Sequence, residues 1–385
     1  MAARPAREQL TVLVSGMVAG DPHQGGASWA ILQYLLGLRD LGHRAVLVEP
    51  IDRGQLGDSD LAASVSARYF RDITDAFGIE GALVASGSTE TVGLSYAEVA
   101  RIAGGADLLL NVAGMLTDPE LLEAPRRRAY LDLDPAFVQL WHAVDGIDMR
   151  FAAHERHVTV GLRVGDPTCA VPTCGLDWHR TPPCVALSHW PVAGSVTTDA
   201  FTTIGNWRGY GSIEHGGMHY GQRAHSMRAL AGLPAHVDER LAPALAIHPD
   251  EVDDLALLRE HGWELLDPAA VAATPEDYRR FVQGSKAELG IAKSGYVVSR
   301  CGWFSDRSAC YLASGRPVVA QDTGFGDALP VGEGLLAYDD IASAAEAIRR
   351  VTADYARHRQ AARAIAEDQL ATSVVLPRLL DAVLG

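Results

Sequence analysis

Residues 10–15, LTVLVS, run apolar as a buried parallel strand does. After a loop with Gly25 and Gly26, the residues Ile31, Leu32, Leu35, Leu38 and Leu41 keep helical spacing until Gly42. HRAVLVEP then turns extended, so strand, glycine loop, helix and strand open a parallel α/β sheet. ADLLLNVAG (106–114) and RAYLDLDP (128–135) read as further strands. The second half restarts the layout: FTTIGN is a strand, followed by a glycine-rich loop and a helix. Thr202 answers to Thr11, and Gly216 and Gly217 answer to Gly25 and Gly26. ALAIHP (244–249), a helix in DEVDDLALLREHGW, ELLDP and a helix near PEDYRRFVQGS continue it. GYVVSR (295–300) and RPVVAQD (316–322) are expected as the last strands, with helices from residue 340 to the end. The pattern predicts α/β architecture with two Rossmann-like domains, 1–195 and 196–385, facing a cleft. The polar stretch 191–200 is the expected boundary, and the last helix is expected to pack back on the first domain. Residues 150–190, rich in Pro, His and Cys, show too little periodicity to assign.

SRCGWFSDRSACYLASGRPVV, residues 299–319, compresses a glycine turn, a helix and a strand. Ser305 or Asp306 caps the helix, Gly315 ends it, and Pro317 blocks its return. A glycine loop aimed at a helix start suits an anion, often a phosphate, held by backbone N–H groups.

Composition narrows the partner. A length of 385 residues exceeds one ordinary core, and 48% apolar with 21% charged residues is ordinary for a globular chain. A net charge of −15 argues against a nucleic-acid partner, which needs a basic face. No apolar run spans a bilayer, and MAARPAREQLTVLVSG holds too short an apolar core for a secretory signal, so a cytoplasmic protein is expected. Five cysteines are too few and odd for a disulfide framework. Cys169, Cys174 and Cys184 near His179 lack the CxxC spacing of zinc sites, so no metal is expected. Only two lysines, Lys286 and Lys293, stand beside 31 arginines, a bias of GC-rich coding.

GGASWAILQYLLGLRDLGHRAVLVEP resembles the first helix and second strand of GT-B-fold nucleotide-sugar glycosyltransferases. RSACYLASGRPVVAQDTGFGDALPVGEGLLAYDD is similar to their donor-site segment, and CGWFS to the H-C-G-W-N-S run of members acting on small lipophilic acceptors. The resemblance implies transfer of a sugar from a nucleotide-diphosphate donor to a small molecule or glycan, with no cofactor and no metal. A nucleotide-sugar epimerase and an inactive nucleotide-binding homologue are the alternatives. Two departures stand out. The ribose-binding glutamate five residues before the glycine of G-x-P is Cys310 here (Ser308 if aligned from CGWFS). Arg300 also replaces the histidine that opens H-C-G-W.

By this resemblance Gly302, Trp303, Phe304, Ser305 and Ser308 hold the diphosphate. Asp306 turns toward the helix or supplies the missing ribose contact. Lys293, Arg300 and Arg307 neutralise the leaving group, or are solvated surface cations. Asn206, Trp207 and Arg208 end the first strand of the second domain, where such sheets bind ligands. Gly25 and Gly26 are expected donor contacts, and His23 just before them is either the base for the acceptor, a sugar contact or an idle side chain. Asp132 and Asp134, two apart on a strand, share a face and are alternative bases or orienters of His23.

Overall fold

The structure, a computed structural model, describes residues 9–56 and 59–385. β1 (Thr11–Ser15) and β2 (Arg44–Ile51) flank α1 (Gly25–Asp40), as the apolar periodicity dictates. α2 (Arg53–Leu56), α3 (Val65–Phe77), β3 (Glu80–Ala85), β4 (Thr91–Gly93) and α4 (Tyr96–Gly104) follow. β5 (Leu108–Val112), α5 (Pro119–Glu123), β6 (Arg128–Asp132) and α6 (Phe137–Ala143) continue the winding. The unassigned 150–190 region supplies two short strands, β7 (Arg156–Thr159) and β8 (Trp178–Arg180). Together they form one sheet of order β4-β3-β2-β1-β5-β6-β7-β8, parallel except at β4.

The second sheet, β12-β9-β13-β14-β15, is parallel throughout. Its first strand is β9 (Thr198–Asn206); the hairpin β10 (Ile213–His215) and β11 (Met218–Tyr220) precedes α7 (Arg223–Ala229). Gly216 and Gly217 therefore make the hairpin turn, with φ of 58° and 77°, and do not open a helix as Gly25 does. β12 (Leu241–Ala246), α8 (Val252–Glu260), α9 (Pro268–Ala272) and α10 (Pro275–Gly284) come next.

β13 is Ser285–Gly290, and GYVVS lies in α11 (Ser294–Ser299) with Arg300 as its left-handed cap, correcting the expected strand. A four-residue apolar run fits either period, and the strand slot beside β9 is already taken by SKAELG. α12 (Asp306–Ala313) begins at Ser305, whose Oγ accepts the Arg307 N–H at 3.2 Å, and Gly315 follows it at φ 65°. β14 (Val318–Gln321), β15 (Leu335–Tyr338), α13 (Ile341–Ala353), α14 (Tyr355–Ile365) and α15 (Thr372–Leu384) complete the chain.

α1 packs against elements from both halves of the chain. Its buried face joins one apolar cluster with α12 and α15. A Cβ on Gly37 would lie 2.5 Å from Thr372, so the absence of a side chain lets α15 close on α1. Gln33 accepts the Ala186 N–H at 2.7 Å and donates to Cys310 Sγ at 3.4 Å, tying the first half to α12.

Candidate active site

A cleft of about 700 Å³ opens between the start of α1 and the second sheet. Its walls are the C-terminal ends of β9 (Ile204–Asn206) and β12 (Leu245 and Ala246, then Ile247), the edge of open sheets where ligands bind. Residues 265–269, Ala272 and Tyr278 close one side; His23, Gln24 and Gly26 close the other, and Asp306 and Arg307 form the inner end.

Gly25 is fixed by packing: a Cβ there would meet the Thr274 carbonyl at 2.2 Å. The bare backbone lets α1 seat against the turn between α9 and α10, and so sets the cleft's width.

The inner end holds fixed guanidinium groups. Arg307 Nε donates to Glu288 at 2.5 Å and Nη1 to the Ile204 carbonyl at 2.8 Å. Burial disfavours its charge, but Glu288 more than offsets this and holds the guanidinium firmly protonated. Arg223 lies under the wall: a Cβ on Gly205 would sit 2.0 Å from its Nη1. It donates to the carbonyls of Asn206 and Ile291, both at 2.9 Å, without a carboxylate partner in the structure described. Burial lowers it to about 10, so it stays charged at neutral pH. Two buried guanidinium groups, Arg307 and Arg223, thus stand with two carboxylates, Glu288 and the cleft-lining Asp306.

The loop between β1 and α1 is held by Glu49, a buried carboxylate on β2. It accepts the N–H groups of Val18 (2.9 Å), Ala19 (2.8 Å) and Gly20 (2.6 Å). Burial raises its carboxyl to about 7 against these donors. The loop carries His23, exposed at the cleft mouth with φ 66° and its ring 5.2 Å from Tyr69.

Several expected donor contacts are committed elsewhere. Gly302 is closed: its N–H donates to the Thr323 carbonyl (2.8 Å), and its own carbonyl accepts from Leu162 (3.3 Å). A Cβ there would strike the Arg163 nitrogen at 2.8 Å, so chain 161–163 fills the place assigned to phosphate. Trp303 pairs with Gly161 and stacks on Tyr296 at 4.5 Å, while Phe304 is core against Phe325. Ser305 is spent as the cap, Ser308 is buried, and Arg300 pairs with Asp322 at 3.4 Å.

Asn206 lines the cleft, but Trp207 is buried on Asp254 (2.9 Å) and Arg208 pairs with Glu251 (2.5 Å). Lys286 is taken by Glu239 at 2.7 Å.

The two aspartates do not share a face. Asp132 ends β6 fully buried, accepting Gln139 and Thr159 on one oxygen and the Asp134 N–H on the other, each at 2.8 Å. Burial lifts it to about 6, and it holds the turn after β6 instead of meeting a substrate. Asp134, past the strand end, pairs with Lys293 at 2.9 Å and accepts Tyr210 at 2.5 Å and Tyr296. This clamp joins the two halves and occupies both groups.

All five cysteines are free thiols, and among the described residues no three His, Cys, Asp or Glu side chains group as metal ligands. No described helix is long and apolar enough to cross a membrane.

Sequence alone finds no significant match among curated proteins. Solved structures do match over the whole chain. An α-glucosyltransferase in complex with UDP-glucose and DNA containing an abasic site has a TM-score of 0.61 at 12% identity, covering 98% of this chain and 100% of that one. HepE from Anabaena, with UDP and glucose, has a TM-score of 0.59 at 12% identity, covering 97% and 99%. The fold is GT-B.

Sucrose-phosphate synthase from Thermosynechococcus elongatus matches more loosely, with a TM-score of 0.50 at 12% identity, covering 96% and 98%. Residues 250–373 match the family described as glycosyl transferase-like, a segment running from α8 into α15 and containing Asp306 and Arg307 of the cleft's inner end. One GT-B structure of this set holds DNA, so the fold by itself does not exclude a nucleic-acid acceptor as the net charge had suggested.

The site elements missed from sequence are Arg223, Glu288, Glu49 and the clamp partners Tyr210 and Tyr296. A buried glutamate inside an apolar strand, as in SKAELG, was the one signal available for Glu288.

Proposed function

We propose that this chain is a glycosyltransferase that binds a UDP-sugar in the cleft between α1 and the ends of β9 and β12. The observation that carries the reading is a cleft of ligand size at the strand ends, with the fixed guanidinium groups of Arg307 at its inner end and Arg223 beneath its wall. As the bond from the sugar to the diphosphate breaks, charge grows on the departing oxygen, and fixed guanidinium groups favour that state without reorganising. Leu245, Ile247 and Leu265 give the nucleoside end an apolar wall. The UDP-sugar complexes of the structural neighbours support the donor class. The cations make a divalent metal unnecessary for charge neutralisation.

Isothermal titration with UDP, GDP and dTDP tests this. Native protein should bind UDP best. Arg307→Met alone strands Glu288, so the double variant Arg307→Met, Glu288→Leu is the cleaner test, since an apolar replacement of a buried pair is often neutral in stability. It should stay folded and lose UDP affinity at least tenfold. Equal affinity in the double variant, or no nucleotide binding by native protein, refutes the proposal.

A further inference from the structure

A second cavity of about 190 Å³ is lined from both halves and meets the cleft at Asp306. Ala30, Leu133, Val160, Pro183, Trp303 and Phe304 wall it. The Gln33 amide at its edge is already spent on Ala186 and Cys310. Asp306 lines both this chamber and the cleft, and among the described residues lining the chamber it is the one charged group.

We propose that the chamber is the acceptor site, and that Asp306 holds and deprotonates the acceptor. The inference rests on the glycosyl-transfer reading above and names its acceptor class: uncharged, mainly apolar alcohols or phenols. The volume is below that of ordinary drug-sized sites, so it takes a small molecule or the apolar end of a larger one. With no cation in its lining, it offers nothing to a phosphorylated or nucleic-acid acceptor.

Asp306 is placed for the task. Arg307, its neighbour, turns away to Glu288, and no described residue forms an ion pair with Asp306. Its Oδ1 takes one long hydrogen bond from Ser305 at 3.4 Å. Burial raises its carboxyl, partly opposed by Arg307 and helix-start N–H groups, which makes it a stronger base near neutrality than a solvated aspartate. Tyr34 and Cys184 of the chamber both feel its charge. In the transfer, the acceptor oxygen bonds to the anomeric carbon as the bond from that carbon to the β-phosphate oxygen breaks. The electron pair leaves with UDP, and the hydroxyl proton passes to Asp306.

The probe is 2-naphthol, followed by tryptophan quenching and by transfer from UDP-glucose, with UDP affinity measured in parallel. Native protein should bind naphthol saturably and glucosylate it. Ala30→Leu should weaken naphthol at least tenfold, and Asp306→Asn should keep naphthol binding but slow transfer about 10²–10⁴-fold. Ala30→Leu should bind UDP within about twofold of native, and the Asp306→Asn transfer rate is read at saturating UDP-glucose because Asp306 also lines the cleft. The acceptor assignment is overturned if native protein binds no naphthol, if Ala30→Leu binds it unchanged, or if Asp306→Asn transfers within threefold of native. It is likewise overturned if native protein glucosylates duplex DNA and Ala30→Leu does so equally. Failure of native protein to bind UDP at all would instead remove the function on which the inference rests.

Discussion

Replacing Glu49 with glutamine removes a titration while keeping the shape of the group and one acceptor oxygen for the β1–α1 loop. The native carboxyl is raised by burial to about 7 from an ordinary 4.5. The native state therefore holds a proton that the unfolded chain has released, and stability must fall as pH climbs between those values. At 1.36 kcal/mol for each factor of ten in proton affinity, the loss is about 3 kcal/mol. The stabilisation is fully present below pH 4.5 and is spent above pH 7. Tyr69, the nearest phenol, is itself raised by burial and does not titrate in that window. Urea unfolding of native protein and Glu49→Gln at half-unit steps from pH 4.5 to 8 isolates the effect, because other groups cancel in the difference. The native-minus-variant stability should decline by about 3 kcal/mol across the window. A flat difference, or one that rises with pH, would show that the carboxyl is not held protonated, and the burial argument for this loop would fail.

Three further outcomes are expected. Transfer from UDP-glucose should survive excess EDTA, because Arg307 and Arg223 supply the positive charge; loss restored by Mg²⁺ would refute this. His23→Ala should raise the KM for donor several-fold with kcat within threefold, since His23 lines the cleft mouth and not the chamber; a hundredfold fall in kcat would return it to the role of base. Asp134→Asn should destabilise the protein by about 2 kcal/mol, because it leaves the half-buried Lys293 without its counter-charge; urea unfolding within about 0.5 kcal/mol of native would show the clamp to be dispensable.

The sequence made the local elements legible where one period dominated. The leucines of α1, the Ser305 cap and Gly315 each act within a turn or two of chain, so their pattern predicts their structure. α11 was misread because GYVV fits a strand as well as a helix, and β13 was hidden because Glu288 and Lys286 interrupt its apolar run. The site was less legible for another reason. Gly302 looks like an open phosphate loop, and only the fold brings 161–163 across to fill it. Arg223 gives no local sign that it will be buried beneath β9, nor does Asp134 announce Lys293, 159 positions on. His23, Gly26, Asn206, Asp306 and Arg307 do meet in one cleft, because each sits at a strand end or helix start where the two sheets face each other.

Photolabelling with 5-azido-UDP-glucose, followed by peptide mapping, tests the donor cleft most directly. The azide rides on the uracil, so the account predicts crosslinks within 245–272, the apolar wall from β12 to α9, abolished by excess UDP-glucose. Competed labelling confined to residues 299–305, or to the first sheet, would contradict it.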